Sequence, residues 1–158
     1  MEGLAILADR SLPTILREHP FTRDLPPLLL DAVAGCSCKC AIPAGNYLWR
    51  QGGNADFFYL ICTGCAALEI AIPHEGVLRL ENVCDGEVLG WYWMLPATRW
   101  NVDAKATTPI DAVRVDGRQL RAACEENEAL HHCLLERFNA VLARRLLSVQ
   151  SRLIQAVS

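Results

Sequence analysis

The residues best suited to chemistry lie between Gly86 and Trp100, in the run GEVLGWYWMLPATRW. Gly86 and Gly90 punctuate its start, Arg99 stands near its end, and Trp91, Trp93 and Trp100 fall inside it. Backbone N–H groups at a glycine-rich turn form an anion-binding nest, and a guanidinium offers phosphate a charge-assisted fork. Gly90 and Arg99 are therefore candidates to hold a phosphate, with Trp91 or Trp100 covering the remainder of a ligand. The same aromatic side chains also suit closing that space or gripping a partner, and residue types leave these readings open.

The cysteines offer a second chemistry. There are eight: Cys36, Cys38, Cys40, Cys62, Cys65, Cys84, Cys124 and Cys133. The N-terminal run MEGLAILADR lacks the basic start of a secretory signal, so a cytoplasmic location and reduced thiols are expected. Cys62 and Cys65 form a C-x-x-C around a turn, which could hold zinc if a second pair of ligands lies near, or could respond to redox. His131, His132 and Cys133 could supply that pair only if their helix packs on this turn; no metal is assigned. Cys36, Cys38 and Cys40 alternate along a strand and share a face, which small core residues explain equally well. Catalysis is not expected, because the chain has no nucleophile elbow, paired acid–base spacing or Walker loop. His74 belongs to a turn, and the adjacent His131 and His132 point in different directions on a helix.

The elements that would position these groups can be read from periodicity. A 158-residue chain that is 52% hydrophobic suits one domain with a real core over residues 1–158. Fifteen basic against eighteen acidic residues argue against non-specific nucleic-acid binding, and no apolar run reaches the roughly 18–20 residues of a membrane span. Residues 12–35 read as a helical lead-in, capped by Ser11 or Thr14, restarted at Pro26-Pro27 and stopped at Gly35. From 36 to 115, turn residues separate the strand-like runs Cys36–Ile42, Tyr47–Arg50, Phe57–Cys62, Cys65–Ile72, Val77–Val83, Trp100–Ala106 and Ile110–Val115. This predicts a mainly β fold, an antiparallel β-roll or jelly roll with flanking helices. Asp116, with Gln119 as partner, caps a helix reaching about Cys124, and a longer helix starts near Asn127. Its apolar stripe of Leu130, Leu134, Phe138, Val141, Leu142, Val149 and Leu153 outruns a small barrel. The far end is expected to pack on a second copy, making a homodimer.

That layout is similar to the cyclic nucleotide-binding domain of the catabolite-activator/FNR superfamily. Pro43–Gly52 (PAGNYLWRQG) resembles the family's turn between the first strands, and Asp56–Gly64 (DFFYLICTG) its next strand and turn. Asp85–Gly90 (DGEVLG) is similar to the entrance of the phosphate-binding cassette, placed here at residues 84–101. In nucleotide-binding members, cassette amides and an arginine hold the cyclic phosphate, and a glutamate after the glycine takes the ribose hydroxyl. Here Trp91 follows Gly90, and an indole has a donor but no acceptor for that hydroxyl. Arg99 stands near the family arginine, about one residue closer to the glycine, and Pro96 removes one amide. The resemblance therefore implies a degenerate cassette at Gly90, Trp91, Arg99 and Trp100, with a cyclic nucleotide or other nucleotide phosphate as the possible ligand.

The wider pattern Gly90, Trp91, Trp93, Pro96, Arg99, Trp100, Asp103, Ala104 and Ala106 resembles a subgroup of short members without a helix-turn-helix domain. No recognition helix follows the long helix, so direct DNA reading is not expected. The implied role is a non-enzymatic regulatory sensor acting through a partner protein. One alternative is a docking subunit of a redox complex, such as an NAD-reducing nickel–iron hydrogenase, where the fold occurs as an accessory subunit. Another is a cysteine-based metal or redox sensor.

Overall fold

Phe58, Tyr59, Leu60 and Ile61 are consecutive strand residues, and all four are buried. A strand alternates its side chains between two faces, so such a run requires a sheet covered on both sides. The computed structural model supplies both covers. It describes residues 7, 9–95 and 98–158; the expectation about Pro96 lies outside the described residues.

The described elements open with α1 (Leu12–Glu18) and α2 (Pro27–Gly35). Ser11 caps α1, its hydroxyl accepting from the Thr14 N–H. Eight strands follow: β1 (Ser37–Ile42), β2 (Tyr47–Trp49), β3 (Phe57–Thr63), β4 (Ala66–Ile72), β5 (Gly76–Val83), β6 (Val88–Leu89), β7 (Asp103–Ala106) and β8 (Ile110–Asp116). A 3-10 turn, Tyr92–Met94, lies between β6 and β7. The chain continues through α3 (Gly117–Glu126) and α4 (Glu128–Ala156). Asp116 accepts from the N–H groups of Arg118 and Gln119, and Asn127 from that of Leu130, so each of these helices starts at a side-chain cap.

The strands form two antiparallel four-stranded sheets, ordered β1-β8-β3-β6 and β2-β7-β4-β5. Between them lies one core, where Tyr59, Ile61, Leu89 and Ala112 of the first sheet meet Leu48, Trp49, Ala66, Ala104 and Ala106 of the second. The alternate residues of the first sheet, including Phe58, Leu60, Val113 and Val115, point the other way. They pack with Leu16, Leu30, Leu120, Leu130, Leu134 and Phe138 of the helices in a second core. This is the predicted β-roll with helices on one face.

Two expectations shift in detail. The short β6 pairs with Tyr59 and Leu60, and two residues are too few for alternation to reveal. The run beginning at Trp100 becomes a strand only at Asp103, because its first residues are tied to the β2–β3 loop instead. The Gly52 N–H donates to the Trp100 carbonyl at 2.8 Å, and the Trp100 N–H donates to the Gly53 carbonyl at 2.9 Å.

Candidate functional site

The cassette residues divide between the two cores. Trp100 enters the roll interior, where it is 3% exposed and stacks on Trp49 at 3.8 Å between ring centroids and 8° between planes. Tyr92 lies over it at 5.2 Å and Phe57 meets it edge-on at 5.7 Å. The Trp49 indole N–H donates to the Val102 carbonyl at 2.9 Å, and the Tyr92 hydroxyl donates to Asn101, so polar groups on these rings are satisfied within the site.

Gly90 is required beside this stack. Its φ of +97° is a conformation side chains resist, and a Cβ there would stand 3.2 Å from the Trp100 ring and 3.4 Å from Phe58 Cβ. The structure thus brings Gly90 and Trp100 together. It does not bring Trp91 with them: that indole is half-buried, meets the Tyr92 ring edge-on at 4.2 Å and packs at the margin of the helix-side core.

Arg99 lies at the rim. Its backbone bridges to Asn54, its side chain is exposed, and one guanidinium nitrogen donates to the Gly52 carbonyl at 2.8 Å. Together with the Ala55 N–H donating to the Thr98 carbonyl at 3.0 Å, this sews the end of the cassette to the β2–β3 loop. Trp93, between Trp91 and Arg99, is a core residue wedged between Phe58 and Phe138 at 5.3 Å from each. A Cβ on Gly117 would come within 2.5 Å of Trp93 Cβ, so only glycine fits where α3 begins. Arg121 of α3 also donates to the Trp93 carbonyl.

The cysteine expectations require a correction. The thiols were expected to be reduced, yet Cys65 and Cys84 form a disulfide. The register explains it: Ala66 pairs with Val83, so the flanking Cys65 and Cys84 come face to face with Cα atoms 4.1 Å apart. The C-x-x-C does not act as a pair, since Cys65 is committed to Cys84 while Cys62 remains a free thiol packed against the helix-side core. No group of three or more metal-ligating side chains occurs among the described residues. Cys36, Cys38 and Cys40 also part company: Cys36 packs on the helix-side core, Cys40 on the roll interior, and Cys38 is exposed. Burial pushes the Cys40 thiol up to about 12 and the Cys62 thiol up to about 11, so both hold their protons at neutral pH.

Other residues that matter here were not singled out from sequence. Trp49, Phe57 and Tyr59 form the bed for Trp100, and the signal was present in the alternation that turns 57 and 59 to one face. His19 gave no such signal. It is 4% exposed, its Nδ1 accepts from the Phe21 N–H at 3.1 Å, and its Nε2 lies 3.0 Å from the Ile61 carbonyl. These partners fix the neutral tautomer with the proton on Nε2. Burial lowers the pKa of the ring, against the opposing hydrogen bond to Ile61.

A β-roll with a glycine-bounded cassette, laid against a long helix, is the frame of a regulatory sensor domain. The family model of the cyclic nucleotide-binding domain matches residues 39–127, and the chain belongs to that family. A protein of Geobacter metallireducens GS-15 assigned to cyclic nucleotide binding superposes with a TM-score of 0.77 at 25% identity, over 87% of this chain and 99% of that one. The sensor domain of the transcriptional regulator DNR from Pseudomonas aeruginosa superposes with a TM-score of 0.68 at 21% identity, over 92% and 95%. By sequence, the chain is 24% identical over 131 residues to cyclic nucleotide-gated ion channel 18 of Arabidopsis thaliana, covering 74% of this chain but 18% of the channel. No helix among the described residues is long and apolar enough to cross a membrane.

Proposed function

We propose that the chain is a non-enzymatic regulatory module whose degenerate cassette is closed by its own aromatic side chains, and that it acts by docking on protein partners. The carrying observation is Trp100, 3% exposed and stacked at 3.8 Å on Trp49 beside Gly90. A ligand using the Gly90 turn would have to displace that indole. The residue after Gly90 is an indole that packs at the margin of the helix-side core and offers no acceptor for a ribose hydroxyl. A partner surface is favoured by α4, whose Leu146, Leu147, Leu153 and Ile154 are each about 60% exposed. Burying such a stripe on a second copy is the simplest use of it, and we assign a homodimer through α4 and a cytoplasmic location.

Titration with cAMP and cGMP, followed by calorimetry and tryptophan fluorescence, tests this reading. No saturable binding is expected for the wild-type chain. Micromolar binding lost in Arg99→Ala would overturn the closed cassette and restore the ligand-sensing role for Gly90, Trp91, Arg99 and Trp100.

A second reading rests on the Cys65–Cys84 bond. Disulfides in a reducing compartment are usually transient or sensing, and this one joins β4 to the first residue of the cassette. Opening it would remove the covalent tie at the end of the β4–β5 pair and leave the Asp85-Gly86-Glu87 turn held by hydrogen bonds to Ile61 and Gly64 alone, making the module redox-responsive. With Cys62 held protonated, reduction falls to an external thiol. A bond that glutathione at cytoplasmic poise leaves intact would refute this role.

A further inference from the structure

Four arginines gather around one cleft that backs onto the cassette entry, where Gly86, Glu87 and Val88 form part of its wall. It opens between α4 and the β5–β6 side of the roll, has a volume of about 560 Å³, and is lined by Arg23, Arg144, Arg145, Ser148 and Arg152. Glu81 and Glu87 line it too, but both are engaged: Glu81 faces Arg145 at 3.6 Å, and Glu87 Oε2 accepts from the Cys84 N–H at 2.6 Å. Arg145 and Arg152 are anchored, donating to the Val88 and Leu80 carbonyls. A guanidinium has five N–H donors, so these anchors leave others for a ligand. The side chains of Arg23 and Arg144 are exposed and have no hydrogen-bond or ion-pair partner among the described residues.

The arrangement is directional. Arg144, Ser148 and Arg152 recur every four residues and stack along one face of α4. Leu142, Leu146, Val149 and Leu153 lie on the opposite face, so a dimer made there leaves the cleft open. The cleft is also separate from the cassette interior, because β6 stands between them. Val88 borders the cleft and belongs to the helix-side core, whereas Leu89 faces Trp100's side.

We propose that this cleft, on the outer side of the cassette entry, is a site independent of Gly90 and Arg99 for a small anion carrying two or more phosphate groups, either inorganic or borne by a nucleoside. Converging arginine forks match phosphate oxygens in bidentate geometry, and several phosphates are needed to reach four guanidiniums. The volume lies in the small-molecule range, and its concave shape between helix and roll suits a compact ligand rather than a flat partner. The acidic balance of the whole chain, net −3, disfavours nucleic acid. An anion bound there bridges α4 to the roll.

Calorimetric titration with inorganic pyrophosphate and with ATP, at fixed ionic strength and with sulfate as control, tests the site. The expected result is saturable one-to-one binding of pyrophosphate, tighter than sulfate. Each of Arg23→Ala and Arg144→Ala should weaken it about tenfold, as loss of a charge-assisted contact does, while Arg99→Ala leaves it unchanged. Binding by ATP but not pyrophosphate would still place the site here if the same two substitutions weaken it. Absence of binding by both probes at millimolar concentration, affinity unaltered in the double variant, or dependence on Arg99 instead would each overturn the proposal. Both arginines are exposed and unpaired, so unchanged thermal unfolding of the free variants verifies that the loss is local.

Discussion

Trp100→Ala is the most direct perturbation of the cassette. The indole is 3% exposed and has ring contacts with Trp49, Phe57 and Tyr92, while the Gly90 backbone closes its far edge. Replacing a buried tryptophan by alanine removes its transfer free energy and leaves a cavity, together about 3–5 kcal/mol. Stacking geometry this close puts the expectation near the top of that range. A domain with the ordinary 5–15 kcal/mol of stability would remain folded at low temperature but lose a large share of it. Urea denaturation followed by far-ultraviolet circular dichroism measures the loss, since it does not depend on the deleted fluorophore. The vacated space should also take free indole, raising the Tm of the variant and not of the wild type. A loss under about 1 kcal/mol, or no rescue, would mean that Trp100 does not fill the cassette and that the closed-site argument fails.

Other perturbations have equally definite outcomes. Burial holds the folded pKa of His19 below its ordinary value of 6.5, so the unfolded chain takes up the proton first as pH falls. Its contribution is full above about pH 6.5 and is lost as pH drops towards the folded value, at up to about 1.4 kcal/mol per unit; His19→Gln should flatten that part of the stability profile. Gly117→Ala forces a methyl against Trp93 and should destabilise by about 1–3 kcal/mol, with a red shift in tryptophan emission. Reducing Cys65–Cys84, which are 19 residues apart, should lower stability by about 3 kcal/mol in denaturant titrations, and Cys84→Ser should reproduce the loss without reductant. Leu146→Asp with Leu153→Asp should give a folded monomer by light scattering, and a dimer that persists would place the interface elsewhere.

The fold was legible because its strands are short, alternating and separated by turn residues, and because Asp116 and Asn127 announce their helices as caps. What escaped depends on pairing across distance. The disulfide follows from the register of β4 on β5, which no spacing of cysteines along the chain encodes. The burial of Trp100 required its neighbours Trp49 and Phe57, about fifty and forty residues away in sequence, to converge in one interior. Arg99, a few residues after Gly90, suggested a joint anion site; that one of its guanidinium nitrogens donates to the Gly52 carbonyl depends on the folded β2–β3 loop and has no trace in the spacing. His19 was silent because a lone histidine before a proline has no period to read; only the Ile61 carbonyl gives it meaning.

The manner in which α4 is fastened bears on how far the sequence can drift. Arg137, Arg145 and Arg152 donate to the main-chain oxygens of Phe21, Val88 and Leu80. Every residue type presents that oxygen, so replacing any of the three receiving side chains leaves its acceptor in place. Beyond the apolar face that Leu134 and Phe138 bury in the core and the Arg145–Glu81 pair, the polar fastening of the helix is thus written on the helix: three guanidiniums spaced seven to eight residues apart, each finding a backbone oxygen in the surface beneath. Mutational tolerance should be correspondingly lopsided, with the receiving positions free to vary within their packing and the three arginines resistant even to lysine.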